Sequence, residues 1–189
     1  MAVQAHPQTQ TRKMTYADYA AMPDDGHRYQ VIDGELIMTP APNELHQSSL
    51  GDLFHVIGDH VRATQAGKVY FAPLDVVLSD ENVVQPDLLF ISTERLNIIT
   101  HANVQGAPDL VIEILSPGTA HIDKTDKRDL YARFGVREYW LVSPEAGTIE
   151  VLVLRGGIFE RLGLFGSGDQ VKSEMLSGLS FKTDTVFED

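Results

Sequence analysis

The seven residues Asp109–Leu115, with the sequence DLVIEIL, predict a central β-strand. A nearly continuous run of branched apolar residues is typical of a strand that is covered on both faces. Glu113 interrupts the run, and its same-face neighbours Val111 and Leu115 are both apolar. The alternative is a strand with one solvent-facing side, but the alternation that this requires is missing. A charged residue in the interior is nearly always paired or bound to a metal, so Glu113 is a candidate functional residue.

The part of the chain before this strand shows alternating helix and strand signals. Thr15 is placed to cap a short helix, and two apolar stretches joined by Asp33–Gly34 predict a hairpin over Arg28–Met38. Asn43 is placed to cap a longer amphipathic helix that reaches about Gln65. Two more strands are predicted before Asp109, over Val69–Leu78 and Asp87–Ile91, and Pro73 is a candidate break within the first.

The part of the chain after this strand contains one helix signal and then a series of strands. The helix is predicted to begin near Ile122 and to end at Gly135. A strand meander follows, over Tyr139–Val142, Thr148–Leu154 and Ile158–Leu164. This order predicts a mixed α/β (α+β) fold, with a central mixed sheet flanked by helices, an N-terminal hairpin and a C-terminal meander.

Length and composition restrict the class of protein. The 189 residues predict a single domain over residues 14–189, after a polar stretch at 1–13 that predicts a mobile arm. The absence of cysteine excludes disulfides, zinc-thiolate sites and thiol catalysis. No stretch has the pattern of a membrane span or a signal peptide, so we expect a cytoplasmic protein with no membrane partner. The net charge of -12 argues against a generic surface for polyanions.

Charged residues fall at two more positions that the pattern assigns to the interior. Asp87 begins the apolar run of its strand, and by itself it is best explained as an ordinary acid at a strand end. Lys127 shares a helical face with Leu130 and Tyr131, and Asp123 lies one turn earlier on that face. By itself, Lys127 is equally well explained by an aliphatic stem that covers the edge of the core, or by a local pair with Asp123.

Taken together, two acids on neighbouring strands and a nearby lysine are the groups that metal-dependent phosphodiester hydrolysis requires. Carboxylates hold Mg²⁺ or Mn²⁺ without filling the octahedron, which leaves positions for a phosphate oxygen and for the attacking water. The ion acidifies that water, and a lysine ammonium stabilises the charge that develops in the transition state. None of these roles needs a cysteine or a histidine.

Six stretches occur along the chain in a characteristic order. They are YQVIDGELIM (29–38), PAPNELH (40–46), PLDVVLSDENVVQPDLLFI (73–91), APDLVIEILSP (107–117), DKTDKRDLYARFGVREYWLV (123–142) and MLSGLSF (175–181). As an ordered set they resemble the Uma-two family of restriction endonucleases, which belongs to the PD-(D/E)XK nuclease superfamily. The resemblance covers the chain from about Met14 to the C-terminus. It implies a restriction-endonuclease-like fold, in which Pro86–Asp87 is the PD element and Glu113 is the (D/E) element.

The chain departs from the superfamily pattern in two places. The superfamily lysine comes two residues after the acid, where this chain has Leu115. In the Uma-two family the lysine lies in the following helix, four residues before a tyrosine, which points to Lys127 and Tyr131. The helical face independently points to the same lysine. Gln30 stands where related sequences often carry glutamate, and Glu35 remains as the acid of the GEL stretch (34–36) of the hairpin.

The resemblance also implies a ligand set and several supporting residues. Asp87, Glu113 and the backbone carbonyl of Ile114 would hold Mg²⁺ (or Mn²⁺), and Lys127 would activate water. The residues expected to support the site or to contact substrate are Glu35, His46, Asp75, Asp123 and Tyr131. Two of these have an alternative, because His46 is equally well explained as a packed histidine at a helix start and Asp75 as a solvent-facing residue.

Two classes of function compete for this sequence. The first is a metal-dependent DNA endonuclease that binds DNA weakly and in a salt-sensitive way and acts as a homodimer, since a C2 pair brings one site to each strand. The second is a catalytically inactive nuclease fold that serves as an interaction or dimerisation module, which the acidic surface favours. The acid pair with its lysine favours the enzyme, because a binding module has no reason to keep charges inside. A phosphodiesterase for small nucleotides is a third, weaker alternative.

Overall fold

The structure is a computed structural model, and it describes residues 12–187. Residues 1–11 of the predicted N-terminal arm lie outside the described residues. The next two residues, Arg12 and Lys13, form ion pairs with Asp18 and Glu81. Across 12–187 no helix is long and apolar enough to span a membrane.

Helices and strands alternate through the described chain. The helices are α1 (Tyr16–Ala20), α2 (Glu44–Thr64), α3 (Ala120–Lys124), α4 (Asp126–Phe134) and α5 (Asp184–Phe187), with a 3-10 helix at Thr93–Ile98. The first strands are β1 (Arg28–Ile32), β2 (Glu35–Thr39), β3 (Gly67–Phe71), β4 (Val76–Ser79), β5 (Asn82–Val84), β6 (Leu88–Ser92), β7 (Val104–Gln105) and β8 (Leu110–Ile114). The later strands are β9 (Glu138–Ser143), β10 (Thr148–Arg155), β11 (Ile158–Phe165), β12 (Gln170–Lys172) and β13 (Ser180–Lys182).

Local sequence signals set the ends of the first two helices. The Thr15 hydroxyl accepts a hydrogen bond from the Asp18 backbone N–H, and the Asp18 carboxylate accepts one from the Thr15 N–H, which is the predicted capping box. The Asn43 side chain accepts from the backbone N–H of His46 at 3.0 Å and so caps α2. Helix α2 ends at Gln65, which adopts a left-handed conformation.

A six-stranded mixed sheet forms the centre of the fold, in the order β11-β10-β9-β8-β6-β3. Strand β8 pairs in parallel with β9, and the other pairs in this sheet are antiparallel. The three predicted strands of the C-terminal meander are therefore continuous with the central strand β8. The mixed α/β fold, with mixed sheets flanked by helices, agrees with the prediction.

The N-terminal hairpin belongs to a second sheet, which the sequence patterns did not separate from the first. This five-stranded sheet has the order β2-β1-β5-β4-β7, and it joins the hairpin through Val31, which pairs with Val83 of β5. The predicted strand Val69–Leu78 divides between the two sheets, because its first half forms β3 and its second half forms β4. Pro73, the candidate break, lies between the two strands.

The helix predicted from Ile122 to Gly135 is instead two helices that meet at Thr125. Thr125 has φ -123° and ψ -83°, which lies outside the helical region, and its hydroxyl donates to the His121 carbonyl at 2.6 Å. A β-branched hydroxyl that bonds to the preceding turn competes with regular helix hydrogen bonding. Gly135 ends α4 in the left-handed conformation, as predicted.

Two hydrophobic clusters cover the two faces of the six-stranded sheet. Helix α2 packs on one face with the apolar stripe that its spacing predicted, namely Leu50, Leu53, Ile57 and Val61. The other face packs against α4 and the five-stranded sheet, through Ile32, Val76, Leu130 and Tyr131 among others. The central strand β8 is therefore buried on both faces.

The C-terminal segment is held to this sheet by one buried acid, Glu138, at the start of β9. Its side chain accepts four hydrogen bonds, from Trp140 Nε1 (2.7 Å), Ser173 Oγ (2.6 Å) and the backbone N–H groups of Glu174 (2.8 Å) and Met175 (2.9 Å). Each carboxylate oxygen thus has two donors, which compensates for the burial of the charge.

We expect Glu138→Ala to lower the free energy of unfolding by about 2 to 4 kcal/mol, because it leaves several buried donors without an acceptor. Denaturant titration followed by circular dichroism measures this change. Glu160→Ala removes the same charge from an exposed position of β11 and should change the stability by less than about 0.5 kcal/mol. Equal effects of the two substitutions would contradict the anchoring role of Glu138.

Candidate active site

The two candidate acids lie opposite each other on neighbouring antiparallel strands. Leu88 of β6 pairs with Ile112 of β8, so the next position along the register brings Asp87 opposite Glu113. Facing residues of an antiparallel pair point to the same side of the sheet, with Cβ atoms about 5 Å apart. Strand β6 begins only after Asp87, because Pro86 cannot donate to the ladder.

Asp87 is held in place by the backbone of the neighbouring strand. The backbone N–H of Ile114 donates to Asp87 Oδ2 at 2.7 Å, beyond the last paired residue of β6. The N–H and C=O of one strand residue point to the same side, so the Ile114 carbonyl also faces the side on which Asp87 lies. The strand end therefore offers both a carboxylate and a carbonyl oxygen.

Glu113 is buried on the face that packs against α4, with 2% of its surface exposed. Its Oε1 accepts from the Tyr131 hydroxyl at 2.7 Å and lies 3.0 Å from Lys127 Nζ. The position two residues after Glu113 is Leu115, as the sequence shows, and the cation reaches the acid from the helix instead.

Lys127 lies in the first turn of α4 and is 5% exposed. Its ammonium is 3.0 Å from Asp123 Oδ1, so it bridges two acids from two different elements. The break at Thr125 does not separate the acid of α3 from the lysine of α4. Lys127 is thus placed beside Glu113 on the interior face of the helix.

Burial and the neighbouring charges shift the pKa values of Glu113, Asp123 and Lys127 in opposite directions. Burial raises the pKa of Glu113 from its ordinary 4.5 to about 8, and Lys127 opposes part of that shift. Burial also raises the pKa of Asp123. Burial by itself would lower the pKa of Lys127, but the charges of Glu113, Asp123 and Asp87 outweigh it and raise that pKa above its usual value. Lys127 therefore stays protonated, and burial favours the protonated forms of Glu113 and Asp123 beside it.

Tyr131 of α4 and His46 of α2 each contact one of the two acids. Burial, followed by the charge of Glu113, raises the pKa of Tyr131 well above its usual value, so its hydroxyl remains a donor to Glu113. His46, in the first turn of α2, brings Nε2 to 3.2 Å from Asp87 Oδ2. Its Nδ1 is buried without a hydrogen-bond partner among the described residues.

A small pocket opens on these side chains, with a cavity volume of about 50 Å³. That is room for a few waters or for the oxygens of one phosphate group. One wall carries the acids and Lys127, and the opposite wall is the β1–β2 hairpin with the segment after it. The polar and charged residues of the lining are Arg28, Gln30, Thr39, His46, Gln85, Asp87, Glu113, Ser116, Thr119, Asp123 and Lys127.

Two of the predicted supporting acids do not line this pocket. Glu35 lies at the turn end of the hairpin and is exposed, beside a separate groove that it lines with Asp126, Asp129 and Arg133. Asp75 is not a solvent-facing residue, because it accepts hydrogen bonds from Tyr19 Oη at 2.9 Å and from Gln85 Nε2 at 2.8 Å. It therefore contacts the pocket only through Gln85.

Sequence reasoning missed the polar residues of the hairpin wall. Arg28, Gln30 and Ile32 are alternate residues of β1 and all line the pocket. The period of two in the predicted hairpin could have shown that they share one face. No local signal, however, indicates that this face covers Asp87 and Glu113, since that depends on how the two sheets pack.

The donors at the strand ends fit a hard divalent cation. None of the described hydrogen bonds uses Asp87 Oδ1 or Glu113 Oε2, so each carboxylate keeps one oxygen for another ligand. Mg²⁺ commonly takes only one or two carboxylates and keeps several waters. Across 12–187 no three acidic or histidine side chains are grouped closely enough to hold an ion alone. Water and the Ile114 carbonyl would therefore have to complete the coordination.

Comparisons with known proteins identify a family and a solved structure with a similar fold. The model of the Uma2 family, described as "Putative restriction endonuclease", matches residues 16–184. Five solved chains match, among them one described as "a putative nuclease belonging to DUF820" from Anabaena variabilis ATCC 29413. It has 20% sequence identity and a TM-score of 0.77, with 92% of this chain and 97% of that chain covered, so the two share a fold. The curated proteins give no match.

The raised pKa of Glu113 predicts how stability depends on pH in the absence of metal. Between about pH 4.5 and 8 the folded chain keeps a proton on Glu113 that the unfolded chain has released. The contribution of this group to stability is therefore complete below about pH 4.5 and is lost as the pH rises through 8. Glu113→Gln cannot titrate, so its free energy of unfolding should fall less steeply, by up to about 1 kcal/mol per pH unit. Urea unfolding in EDTA at pH 5, 6, 7 and 8 measures both slopes, and equal slopes would contradict the shift.

Proposed function

The chain belongs to the Uma2 family, and on this basis we propose that it is a metal-dependent endonuclease that hydrolyses phosphodiester bonds of DNA. The family membership confirms the resemblance seen in the sequence motifs. One observation carries the mechanistic part of the proposal. A buried carboxylate, Glu113, and a partly buried one, Asp87, face each other across neighbouring strands and share a small pocket with a protonated lysine.

Asp87, Glu113 and the Ile114 carbonyl are the groups that would hold Mg²⁺ (or Mn²⁺) in this proposal. When bound, such an ion lowers the pKa of a ligand water and neutralises charge that develops on the phosphoryl oxygens. Two contacts keep the acids in position for this task. The Ile114 N–H fixes Asp87, and the Tyr131 hydroxyl fixes Glu113. Both acids thus need little rearrangement to act.

Lys127 takes the part of the superfamily lysine, although it comes from the helix that follows the strand. Because its ammonium stays protonated, it acts as a positive charge and a hydrogen-bond donor rather than as a base. Such a group orients the attacking water and stabilises the anionic transition state. Asp123 holds the ammonium from the other side, at 3.0 Å, and so directs it into the pocket. His46 supports Asp87 in the same indirect way.

The charge of the chain sets the kind of binding that this proposal requires. With 27 acidic and 15 basic residues, affinity for DNA should be weak and should fall steeply with salt. A single pocket cuts one strand, so cleavage of both strands would be carried out by a homodimer with C2 symmetry. Lack of cleavage of any DNA with Mg²⁺ or Mn²⁺ would favour the inactive interaction module instead.

Replacement of the lysine tests the catalytic assignment. Lys127→Ala should reduce cleavage of plasmid and linear DNA about 100- to 1000-fold with either Mg²⁺ or Mn²⁺, because it removes a charge that acts in the transition state. Lys127→Gln keeps a donor without the charge and should lose a similar factor. Lys124→Ala removes a charge from the exposed side of the neighbouring turn and should cleave like the wild type. Cleavage by both Lys127 variants at the wild-type rate would exclude this role.

Metal binding tests the acid pair independently of cleavage. Calorimetric titration with Mn²⁺ should give at least about tenfold lower affinity for Glu113→Gln and for Asp87→Asn than for the wild type, because each removes a charged oxygen ligand. Glu35→Gln serves as the matched control, since that acid is exposed on the neighbouring groove. Unchanged affinity in the two pocket variants would contradict a shared metal site.

A further inference from the structure

Arg28 differs from nearly all other arginines of the chain. The sequence has nine arginines, all within residues 12–187. Seven of them lie within 3.4 Å of a carboxylate oxygen, namely Arg12, Arg62, Arg95, Arg133, Arg137, Arg155 and Arg161. Only Arg28 and Arg128 have no acidic partner among the described residues. In a chain with 27 acidic residues, this is not explained by a shortage of acids.

Arg28 lies where its unpaired charge can contact a ligand in the pocket. It is the first residue of β1, and it lines the same pocket as Asp87, Glu113 and Lys127, from the opposite wall. The described polar contact of its guanidinium is a 3.4 Å hydrogen bond from Nη2 to the Pro40 carbonyl. This distance is beyond the usual range for N–H···O bonds, so the contact restrains the group only weakly. Most of its donors remain available to a ligand.

The lining of the pocket holds more acids than unpaired cations. Three carboxylates line it, and the ammonium of Lys127 is already shared between two of them at 3.0 Å each. A phosphodiester that enters therefore meets acids on one wall. Within the described lining, Arg28 is the cation without an acidic partner. A guanidinium presents two parallel donors that match two phosphate oxygens.

We propose that Arg28 is a substrate-binding residue that holds a backbone phosphate of the nucleic acid against the acid wall. This inference rests on the proposed function, because it assigns the phosphate contact of that same pocket. Arg28 would act from the hairpin, whereas the metal ligands and Lys127 lie on the six-stranded sheet and the helix beside it. Phosphate binding is thus assigned to the hairpin, and hydrolysis to residues of the six-stranded sheet and the helix beside it.

The test compares three variants with the wild type. Arg28→Ala should lower kcat/KM about 10- to 100-fold, mainly through KM, as expected for loss of a charged hydrogen bond. Arg28→Lys keeps the charge but loses the paired donors, and should recover only part of the loss. Arg128→Ala is the matched control, since that arginine also lacks an acidic partner but lines a separate groove beside β11. It should stay within about twofold of the wild type.

A second readout does not depend on turnover. Fluorescence anisotropy with a labelled 30-base-pair duplex in Ca²⁺ gives the affinity as a function of salt. Loss of one phosphate contact should make the slope of log K against log salt shallower by about 0.9 for Arg28→Ala and leave it unchanged for Arg128→Ala. Far-UV circular dichroism verifies that both variants are folded.

The outcomes separate this inference from the proposed function. Wild type that cuts and binds DNA, with Arg28→Ala unchanged in KM and in salt slope, overturns the assignment of Arg28 and leaves the nuclease intact. Equal losses in Arg28→Ala and Arg128→Ala also overturn it, because they indicate a general charge effect. Wild type that neither cuts nor binds DNA overturns both. A selective loss in Arg28→Ala that Arg28→Lys partly restores supports it.

Discussion

Lys127 brings a positive charge into a region that solvent hardly reaches, and the arrangement around it follows from the cost of that charge. An isolated buried ammonium is unfavourable by several kcal/mol, so acids must accompany it. Glu113 comes from the central strand and Asp123 from the helix before Lys127, both at 3.0 Å. The same two contacts connect β8, α3 and α4. The buried acids, the split helix and the raised pKa of Glu113 are therefore parts of one electrostatic arrangement.

The pairing register of β6 and β8 determines the position of Asp87. This acid lies opposite Glu113 only because Leu88 pairs with Ile112. A shift by one residue would turn Asp87 to the face that α2 covers and would separate the two carboxylates. Leu88 and Leu89 of β6 pack on opposite faces, in the two hydrophobic clusters.

The sequence predicts the parts of the site that depend on local periodicity. An acid in an apolar strand indicates Glu113, and the apolar face of a helix indicates Lys127, which the structure places side by side. The caps at Thr15 and Asn43 and the turn at Asp33–Gly34 are likewise local and agree with the structure. The assignment of the hairpin to a second sheet depends on long-range pairing with the three-residue strand β5, which has too few residues for a recognisable period. For this reason local patterns do not show that Glu35 and Asp75 lie outside the pocket lining, or that the hairpin forms its opposite wall.

The two walls of the pocket belong to different sheets. The residues proposed for hydrolysis and those proposed to contact substrate therefore lie on different parts of the fold. The residues proposed for hydrolysis lie on the six-stranded sheet and its helices, whereas the opposite wall is a short hairpin that joins β5 through the pair Val31–Val83 and a hydrogen bond from the Asp33 N–H to Asn82. Exchange of residues along the pocket face of the hairpin leaves the hydrogen bonds of the acids and Lys127 untouched. Changes of substrate preference in this segment of about a dozen residues would therefore leave the arrangement of the proposed catalytic groups intact.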